Sequence, residues 1–344
     1  MFEKIRSLIF KFDPETAHDL AIKALKTNMI PFKEKSYDCL KVKFLGKEIP
    51  NPIGIAAGFD KNAEVYNPLF KLGFGFVEVG TVTPEPQFGN PKPRVFRLEE
   101  DEALINRLGF NNIGSNKVSL NIKKDLPQGL LGINIGPNKD TKNRIDDYLK
   151  CIRSLNNLGD YITINISSPN TDNLRSFHNP DELEKLLKLI QEEKNKLKSS
   201  INIAVKVAPD IEINNLDNIG NILLNYDVKF IIISNTSDGT RDRLKNINKF
   251  EKGGLSGKPI EEKSNILINE FYKIFKNKIK IIGVGGVDSG KSAYQKFISG
   301  ANYIQLYTGM VYQGPNIVSN ISEELNNILS SNGVQNIEEI VGSK

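Results

Sequence analysis

The sequence predicts an α/β fold, a (β/α)8 barrel with a small N-terminal helical extension. Eight short apolar runs rich in β-branched residues recur between residues 53 and 308, and segments with helical spacing separate several of them. This alternation is typical of parallel strands that are buried on both faces. Eight strand–helix units over about 250 residues match a closed barrel. An open doubly wound sheet is the alternative, which the number of units disfavours.

The predicted strands follow one another regularly along the chain. They are the runs at 53–57, 76–79, 131–135, 162–166, 203–207, 230–233, 281–284 and 303–307. Nearly every run ends in polar or glycine-rich residues, and a barrel gathers the carboxyl ends of its strands on the rim where active sites lie. The residues expected on this rim are 58–61, 80–84, 134–136, 165–170, 206, 234–236, 283–286 and 307–309.

Two short amphipathic helices are predicted ahead of the barrel. The sequence Asp13-Pro14-Glu15 supplies an N-cap residue, a proline at the first helical position and an acid in the first turn. Before it, residues 2–12 carry an apolar stripe. We therefore divide the chain into an N-terminal helical segment, residues 1–50, and a barrel, residues 51–344. The two helices either pack on the barrel or expose an apolar surface.

Composition limits the classes of function. The 344 residues are 39% hydrophobic, and the net charge of +5 comes from dispersed basic residues, so nucleic-acid binding is not expected. Two cysteines and two histidines exclude a disulfide framework and a multi-histidine metal site, and no metal is expected. No apolar run approaches the ~20 residues of a spanning helix, and a signal peptide is not recognisable. We expect a chain that is neither exported nor membrane-spanning, with a peripheral membrane contact left open.

The segment at residues 161–171 is the most informative in the chain. A β-branched strand delivers the small polar side chains of Asn165, Ser167, Ser168, Asn170 and Thr171. Polar groups at the end of a buried strand are costly to bury unless something binds them. A hydrogen-bonded strand cap is the alternative interpretation.

Three further features point to a bound anion. The glycine run at 283–290 can bind phosphate through backbone N–H groups, although it can also be a simple turn. Lys206 lies within an apolar strand and needs an anionic partner, either a ligand or a structural ion pair. Lys61 adds a second cation near the same rim. These features suggest a phosphorylated cofactor that does the chemistry while the protein orients it and accepts a proton.

Six motifs in matching order carry a resemblance to a known family. They are residues 56–61, 80–84, 106–112, 165–171, 253–257 and 283–286. On these motifs the chain resembles the class 2, quinone-dependent dihydroorotate dehydrogenases, which are FMN enzymes of pyrimidine biosynthesis, over almost its whole length. Class 1 relatives have cysteine where this chain has Ser168, which favours class 2.

The resemblance implies an activity and a set of site residues. Dihydroorotate would be oxidised to orotate, with Ser168 as the base at C5 and a relay through water and Thr171, against Phe110. The implied quinone site contains His18 and Arg97. The implied substrate residues are Lys61, Asn106, Arg107, Leu108, Gly109, Phe110, Asn165, Asn170, Asn235 and Thr236. The implied FMN residues are Ala57, Gly58, Phe59, Asp60, Lys61, Thr81, Asn134, Asn165, Lys206, Ser234, Gly257, Gly286, Tyr307 and Thr308.

The resemblance also implies partners and a location. FMN would take the hydride and a membrane quinone the electrons, in UMP biosynthesis. The N-terminal helices would form a quinone tunnel and hold the protein on the cytoplasmic face of the inner membrane, and we expect a monomer. Residues 172–180 are predicted to be a mobile lid. Two alternatives stay open: a lyase or isomerase that acts on a sugar phosphate through Lys206, and a non-catalytic lipid-surface module.

Overall fold

The predicted barrel is confirmed. The structure is a computed structural model that describes residues 2–28, 35–171 and 174–344. Eight parallel strands close into a ring in the order β3-β4-β7-β8-β9-β10-β12-β13. The strands are β1 Val42–Phe44, β2 Lys47–Ile49, β3 Ile53–Ile55, β4 Phe76–Val82, β5 Val95–Leu98, β6 Ala103–Asn106, β7 Leu130–Ile135, β8 Tyr161–Asn165, β9 Asn202–Val207, β10 Val228–Ile233, β11 Gly254–Gly257, β12 Lys280–Val284 and β13 Tyr303–Leu306.

Helices surround the ring and fill the intervals between its strands. The barrel strands β4, β7, β8 and β9 are almost entirely buried, since the helices cover one face and the barrel interior the other. The helices are α1 Phe2–Ile9, α2 Pro14–Lys26, α3 Tyr66–Lys71, α4 Ser115–Lys124, α5 Arg144–Leu155, α6 Pro180–Leu197, α7 Leu216–Asn225, α8 Glu261–Phe275, α9 Gly290–Ile298, α10 Thr308–Gln313 and α11 Ile317–Ser331.

A small hairpin, β1–β2, closes the amino-terminal end of the barrel. Phe44 on β1 is fully buried and its ring lies 4.2–5.7 Å, centroid to centroid, from those of Phe76, Tyr161, Phe230 and Tyr303. These four aromatic residues stand on four different barrel strands. Residues 1–50 therefore contain more than helices, because their last part forms the floor of the barrel.

A second sheet lies outside the ring. Strands β5, β6 and β11 pair antiparallel in the order β11-β6-β5. The sheet has a small core of its own, built from Leu98, Ile105, Leu255 and Ile260. Because β6 and β11 carry residues of two predicted motifs, this sheet brings both to the mouth of the barrel.

The two predicted N-terminal helices are present as α1 and α2. Asp13 caps α2, since its Oδ1 accepts hydrogen bonds from the backbone N–H groups of Glu15 and Thr16, both at 3.0 Å. Helix α2 is fixed to the barrel by a buried ion pair between Glu15 and Arg94 of the loop before β5. Within the described parts of the chain, no helix is long and apolar enough to cross a membrane.

Candidate active site

One large pocket opens at the carboxyl ends of the barrel strands. It encloses about 1330 Å³, including space open to solvent. Among the described residues, every barrel strand except β7, or the loop that follows it, contributes to its lining, and the β5–β6–β11 sheet forms one wall. The expected rim is thus a real concavity, the kind of place where ligands bind.

The structure brings most of the predicted site residues to this pocket. Its lining includes Ala57, Gly58, Lys61, Thr81, Asn106, Leu108, Gly109, Phe110, Asn165, Ser168, Asn170, Lys206, Ser234, Asn235, Thr236, Gly257, Gly286, Tyr307 and Thr308. Seven other predicted residues are not part of the lining, namely His18, Phe59, Asp60, Arg97, Arg107, Asn134 and Thr171.

A buried polar network forms the pocket floor. Glu78 of β4 is fully buried; its Oε1 accepts from Asn134 Nδ2 at 2.9 Å, and its Oε2 accepts from Tyr161, Thr163 and Gln305 at 3.0–3.1 Å. The Asn134 Oδ1 accepts in turn from Thr81 Oγ1 at 2.7 Å and from Asn165 Nδ2 at 3.1 Å. Asn134 therefore lies one layer below the surface that Thr81 and Asn165 present.

Lys206 is a buried cation in the pocket. It is 5% exposed, and its ammonium group donates to no other residue that the structure describes. Burial lowers the pKa of Lys206, and the negative charge of Glu78 opposes this shift. A buried cation without a hydrogen-bonding partner is costly unless an anion binds beside it. This orphaned ammonium fits a ligand that carries or develops negative charge.

Glycines shape the side of the pocket formed by β11, β12 and β13. Gly257, Gly285 and Gly286 have φ angles of +97°, +111° and +78°, which L-residues rarely adopt. A Cβ at Gly286 would overlap Glu261, and one at Gly257 would overlap the backbone of Glu102. The amides of Gly285 and Gly286 donate to no other described residue. Unpaired backbone N–H groups that line a pocket suit phosphate.

Several donors at the start of the helix behind these glycines already have acceptors. Ser289 and Ser292 form a capping box at the start of α9, and Gly290 N donates to Glu324 Oε2 at 2.6 Å. The phosphate-binding capacity predicted from the sequence therefore depends on the glycine backbone, together with the hydroxyls of Ser256 and Thr308, which lie 2.8 Å apart.

Ser168 makes no hydrogen bond to a side-chain base among the described residues. It is 5% exposed, and its Oγ accepts from Asn170 N at 3.2 Å. Thr171 is buried nearby but makes no hydrogen bond to Ser168. His178 cannot activate the serine, because its Nδ1 lies 3.0 Å from Arg175 O and its Nε2 accepts from Ala208 N at 3.2 Å. Burial lowers the pKa of His178 to about 4.

Amide side chains and one lysine surround the space next to Ser168. Asn170 Nδ2 donates to Asn106 O at 3.0 Å, and Asn235 Nδ2 donates to Ser167 Oγ at 2.8 Å. Lys61 lines the same pocket, and burial lowers its pKa to about 8. Planar amides and an ammonium group together match a small anionic ring with several donors and acceptors.

The remaining predicted residues lie behind the lining or at its margin. Asp60 accepts from the backbone N–H groups of Glu64 and Val65 and thereby shapes the loop that carries Lys61. Arg107 pairs with Glu251 at 2.7 Å. The ring of His18 lies 5.3 Å from that of Phe59, which lies 6.1 Å from that of Tyr307.

The predicted quinone residues lie between the N-terminal helices and the barrel. Burial and the charge of Lys61 lower the pKa of His18 to about 3, so this histidine is neutral at ordinary pH. Arg97 Nη1 donates to Phe12 O at 2.8 Å, and the guanidinium lies over the Phe10 ring at 4.5 Å. Its Nε is buried without a partner among the described residues. Met29, which helical spacing would place on the same face as His18, lies outside the described residues.

Sequence reasoning missed several pocket residues. Ser256, Tyr312 and Gln313 line the pocket, and Glu78 organises its floor. Ser256 belongs to the motif at residues 253–257, and Glu78 lies two residues before the motif at residues 80–84. In the predicted lid, residues 172–173 lie outside the described residues, while the part that follows forms a 3₁₀ helix, Leu174–His178.

Comparisons with known proteins show the family of this chain. A family model described as dihydroorotate dehydrogenase matches residues 39–329. The chain belongs to the dihydroorotate dehydrogenase family. A curated relative from Bartonella tribocorum, named dihydroorotate dehydrogenase (quinone), is 46% identical over 97% of this chain and 94% of its own length. A relative of the same name from Buchnera aphidicola is 44% identical over 93% and 98%.

Solved structures of the family share the fold. The crystal structure of the Eimeria tenella DHODH in complex with ferulenol superposes with a TM-score of 0.92 at 36% identity, covering 96% of this chain and 95% of the other. The ligand-free form of that protein gives the same TM-score at 37% identity. The family assignment therefore stands on sequence and on fold.

Proposed function

We propose that this protein oxidises dihydroorotate to orotate with FMN as hydride acceptor and passes the electrons to a membrane quinone, in the biosynthesis of UMP. Two curated relatives are named dihydroorotate dehydrogenase (quinone), which supports the substrate and the final acceptor. The observation that carries the proposal is the unpartnered ammonium of Lys206, which shares one pocket with Ser168 and a cradle of unpaired glycine amides. This combination suits a flavin with a phosphate tail.

The residues present fit FMN. The flavin ring would contact Thr81, Asn165 and Lys206. The phosphate would bind to the backbone of Gly257, Gly286, Tyr307 and Thr308. The other proposed contacts are Ala57, Gly58 and Ser234. When bound, FMN supplies the hydride acceptor that no side chain can provide. Lys206 then offsets negative charge at the ring, and the negative charge of Glu78 opposes the lowering of the Lys206 pKa by burial. Asn134 acts indirectly, by fixing Thr81 and Asn165.

Ser168 takes the proton from C5 of dihydroorotate. A serine hydroxyl is a weak base, and the proposal therefore keeps a water and Thr171 as its relay, with Phe110 beside them. Lys61 pairs with the substrate carboxylate, while Asn106, Asn170, Asn235 and Thr236 hydrogen-bond the ring. All of these except Thr171 line the same pocket, so substrate and base are held within one enclosure.

The N-terminal segment delivers the quinone. Exposed apolar side chains on and beside its helices, Ile5, Leu8, Phe12 and Leu20, are 47–59% exposed and suit a lipid surface. His18 and Arg97 lie where these helices meet the barrel, near Phe59 and Tyr307. We infer a peripheral protein on the cytoplasmic face of the inner membrane. Within the N-terminal segment, residues 1–50, helices α1 and α2 would make the quinone and membrane contact, since the β1–β2 hairpin forms the barrel floor. The protein acts as a monomer.

Spectroscopy of the purified protein tests the proposal directly. The protein is expected to be yellow, to bleach when dihydroorotate is added without oxygen, and to regain colour with a soluble quinone. A colourless preparation would refute it. An imine trapped on Lys206 by a sugar phosphate and borohydride would instead favour the lyase or isomerase alternative.

A further inference from the structure

We propose that Arg175 is a positioning residue for proton abstraction, because it ties the loop that carries Ser168 to the loop that carries Thr236. The inference rests on the proposed function and adds a residue to it. Arg175 lies in the 3₁₀ helix after β8 and does not line the pocket. It therefore acts on the reacting groups only through the backbone.

Two donors of the guanidinium reach two catalytic loops. Arg175 Nε donates to Ser167 O at 3.1 Å, and Nη2 donates to Thr236 O at 3.0 Å. Ser167 directly precedes the proposed base, and Thr236 is a proposed substrate contact. A planar, rigid fork fixes two acceptors in one geometry, which an ammonium group cannot do. The spacing between base and substrate site is thus set partly by one side chain.

The third nitrogen anchors this fork. Arg175 Nη1 donates to Asp238 Oδ1 at 2.5 Å and to Asp210 Oδ2 at 3.2 Å. Asp210 also accepts from Ser237 Oγ at 2.6 Å and from Lys263. Burial alone would raise the pKa of Asp210, but its hydrogen bonds outweigh burial and lower it to about 2. The anchor therefore stays charged throughout the working range of pH.

Ser167 is held from its other side as well. Its Oγ donates to Asn165 Oδ1 at 2.7 Å and accepts from Asn235 Nδ2 at 2.8 Å. Leu174 and Phe177, which flank Arg175, are buried, and the Phe177 ring packs edge-on against Tyr148 at 6.0 Å. Arg175 is accordingly fixed on a packed turn, so the distance that it imposes is well defined.

The experiment compares the two half-reactions of the flavin-loaded protein. R175M and R175K are mixed with dihydroorotate under anaerobic stopped flow, and the reduced proteins are then mixed with a soluble quinone. The matched control is R153M, which removes an arginine that pairs with Glu193 on the outer helices. Flavin content and thermal unfolding are measured on every variant.

We expect the limiting rate of flavin reduction to fall about 10- to 100-fold in R175M, as a small displacement of a base can cause. Flavin content and the rate of reoxidation by quinone stay at the wild-type level, and R153M behaves as wild type throughout. R175K keeps the charge for Asp210 but cannot serve both carbonyls, so it is also slow. If R175M fails to fold, R175K alone carries the test.

Two results would overturn the inference. One is reduction of R175K or R175M within about twofold of the wild-type rate. The other is a parallel loss of flavin, reduction and reoxidation, which indicates a merely structural arginine. Failure of the proposed function is distinguishable, because the wild-type protein itself would then not be bleached by dihydroorotate.

Discussion

The buried pair between Glu15 and Arg94 offers a direct test of how the N-terminal segment works. Arg94 donates through Nε and Nη2 to the Glu15 carboxylate, with a shortest distance of 2.6 Å, and both side chains are about nine-tenths buried. Burial would raise the pKa of Glu15, but Arg94 and Lys92 outweigh burial and lower it. The perturbation is Glu15→Gln, which keeps the shape and removes the charge.

The size of the effect follows from the burial. Removal of one partner of a buried ion pair costs about 3–5 kcal/mol, because the other charge stays uncompensated. Glutamine retains one acceptor, and Arg94 Nη1 still donates to Phe88 O and Asn90 O, so we expect the lower limit, about 3 kcal/mol. A destabilisation of this size corresponds to roughly 100-fold faster opening of α2, since about 1.4 kcal/mol is a factor of ten.

Hydrogen exchange locates the effect. Amides of α2 are expected to exchange roughly 100-fold faster in Glu15→Gln, whereas those of the barrel strands do not change. Flavin reduction by dihydroorotate stays intact while quinone turnover slows. The matched control is Glu64→Gln, which breaks an exposed pair between Lys26 of α2 and the barrel, 2.6 Å long, and is expected to cost less than about 1 kcal/mol.

The contribution of this ion pair to the free energy of unfolding is also expected to decrease at acidic pH. Because the folded pKa of Glu15 is lowered, its contribution is present above the unfolded value of 4.5 and is lost as pH falls through the folded value. Glu15→Gln abolishes this dependence. Equal exchange of α2 in both variants, or acceleration of the barrel amides together with α2, would refute the reasoning.

Three other predictions concern the pocket. Ser168→Ala is expected to keep its flavin and to lose about 10²- to 10⁴-fold in the rate of flavin reduction; a near-normal rate removes Ser168 from the mechanism. The affinity for dihydroorotate, measured by flavin absorbance, should weaken as pH rises through the Lys61 pKa of about 8, because the neutral amine no longer attracts the substrate carboxylate. In Lys61→Met the affinity should no longer depend on pH in this range. An unchanged pH profile in the variant contradicts the assignment. Glu78→Gln should lower the free energy of unfolding by about 1–3 kcal/mol, because one acceptor becomes a donor facing other donors; chemical denaturation with no shift in midpoint would speak against the network.

Local pattern predicted the barrel. Each apolar run, such as the one at 162–166, is a strand because β-branched side chains favour extended backbone and burial on both faces. The helix start at Asp13-Pro14-Glu15 was equally predictable, since a capping side chain bonds to amides two and three residues away. The polar residues that close the strands were expected on one rim, because parallel strands all end on the same side.

The antiparallel sheet and the hairpin were not predicted. Strand β5 has only four residues and is half exposed, so its hydrophobic alternation is weak. The β1–β2 hairpin turns at Leu45 and Gly46, with positive φ angles at both, but its role comes from Phe44, which meets aromatic rings from four distant strands. Neither the sheet nor the hairpin could therefore be predicted from the pattern of a few consecutive residues.

The amino-acid order by itself determined where strands and helices form and which chemical groups reach the pocket rim. Only the tertiary structure decided the partners of those groups. Glu15 meets Arg94 across 79 positions, Asn134 lies beneath Thr81 rather than at the surface, and Arg175 joins carbonyls that belong to two loops. The physical reason is the sequence separation over which each effect acts. Backbone preference and periodicity depend on neighbours within a few residues, whereas charge pairing and burial depend on residues that come close only when the chain has closed into a ring.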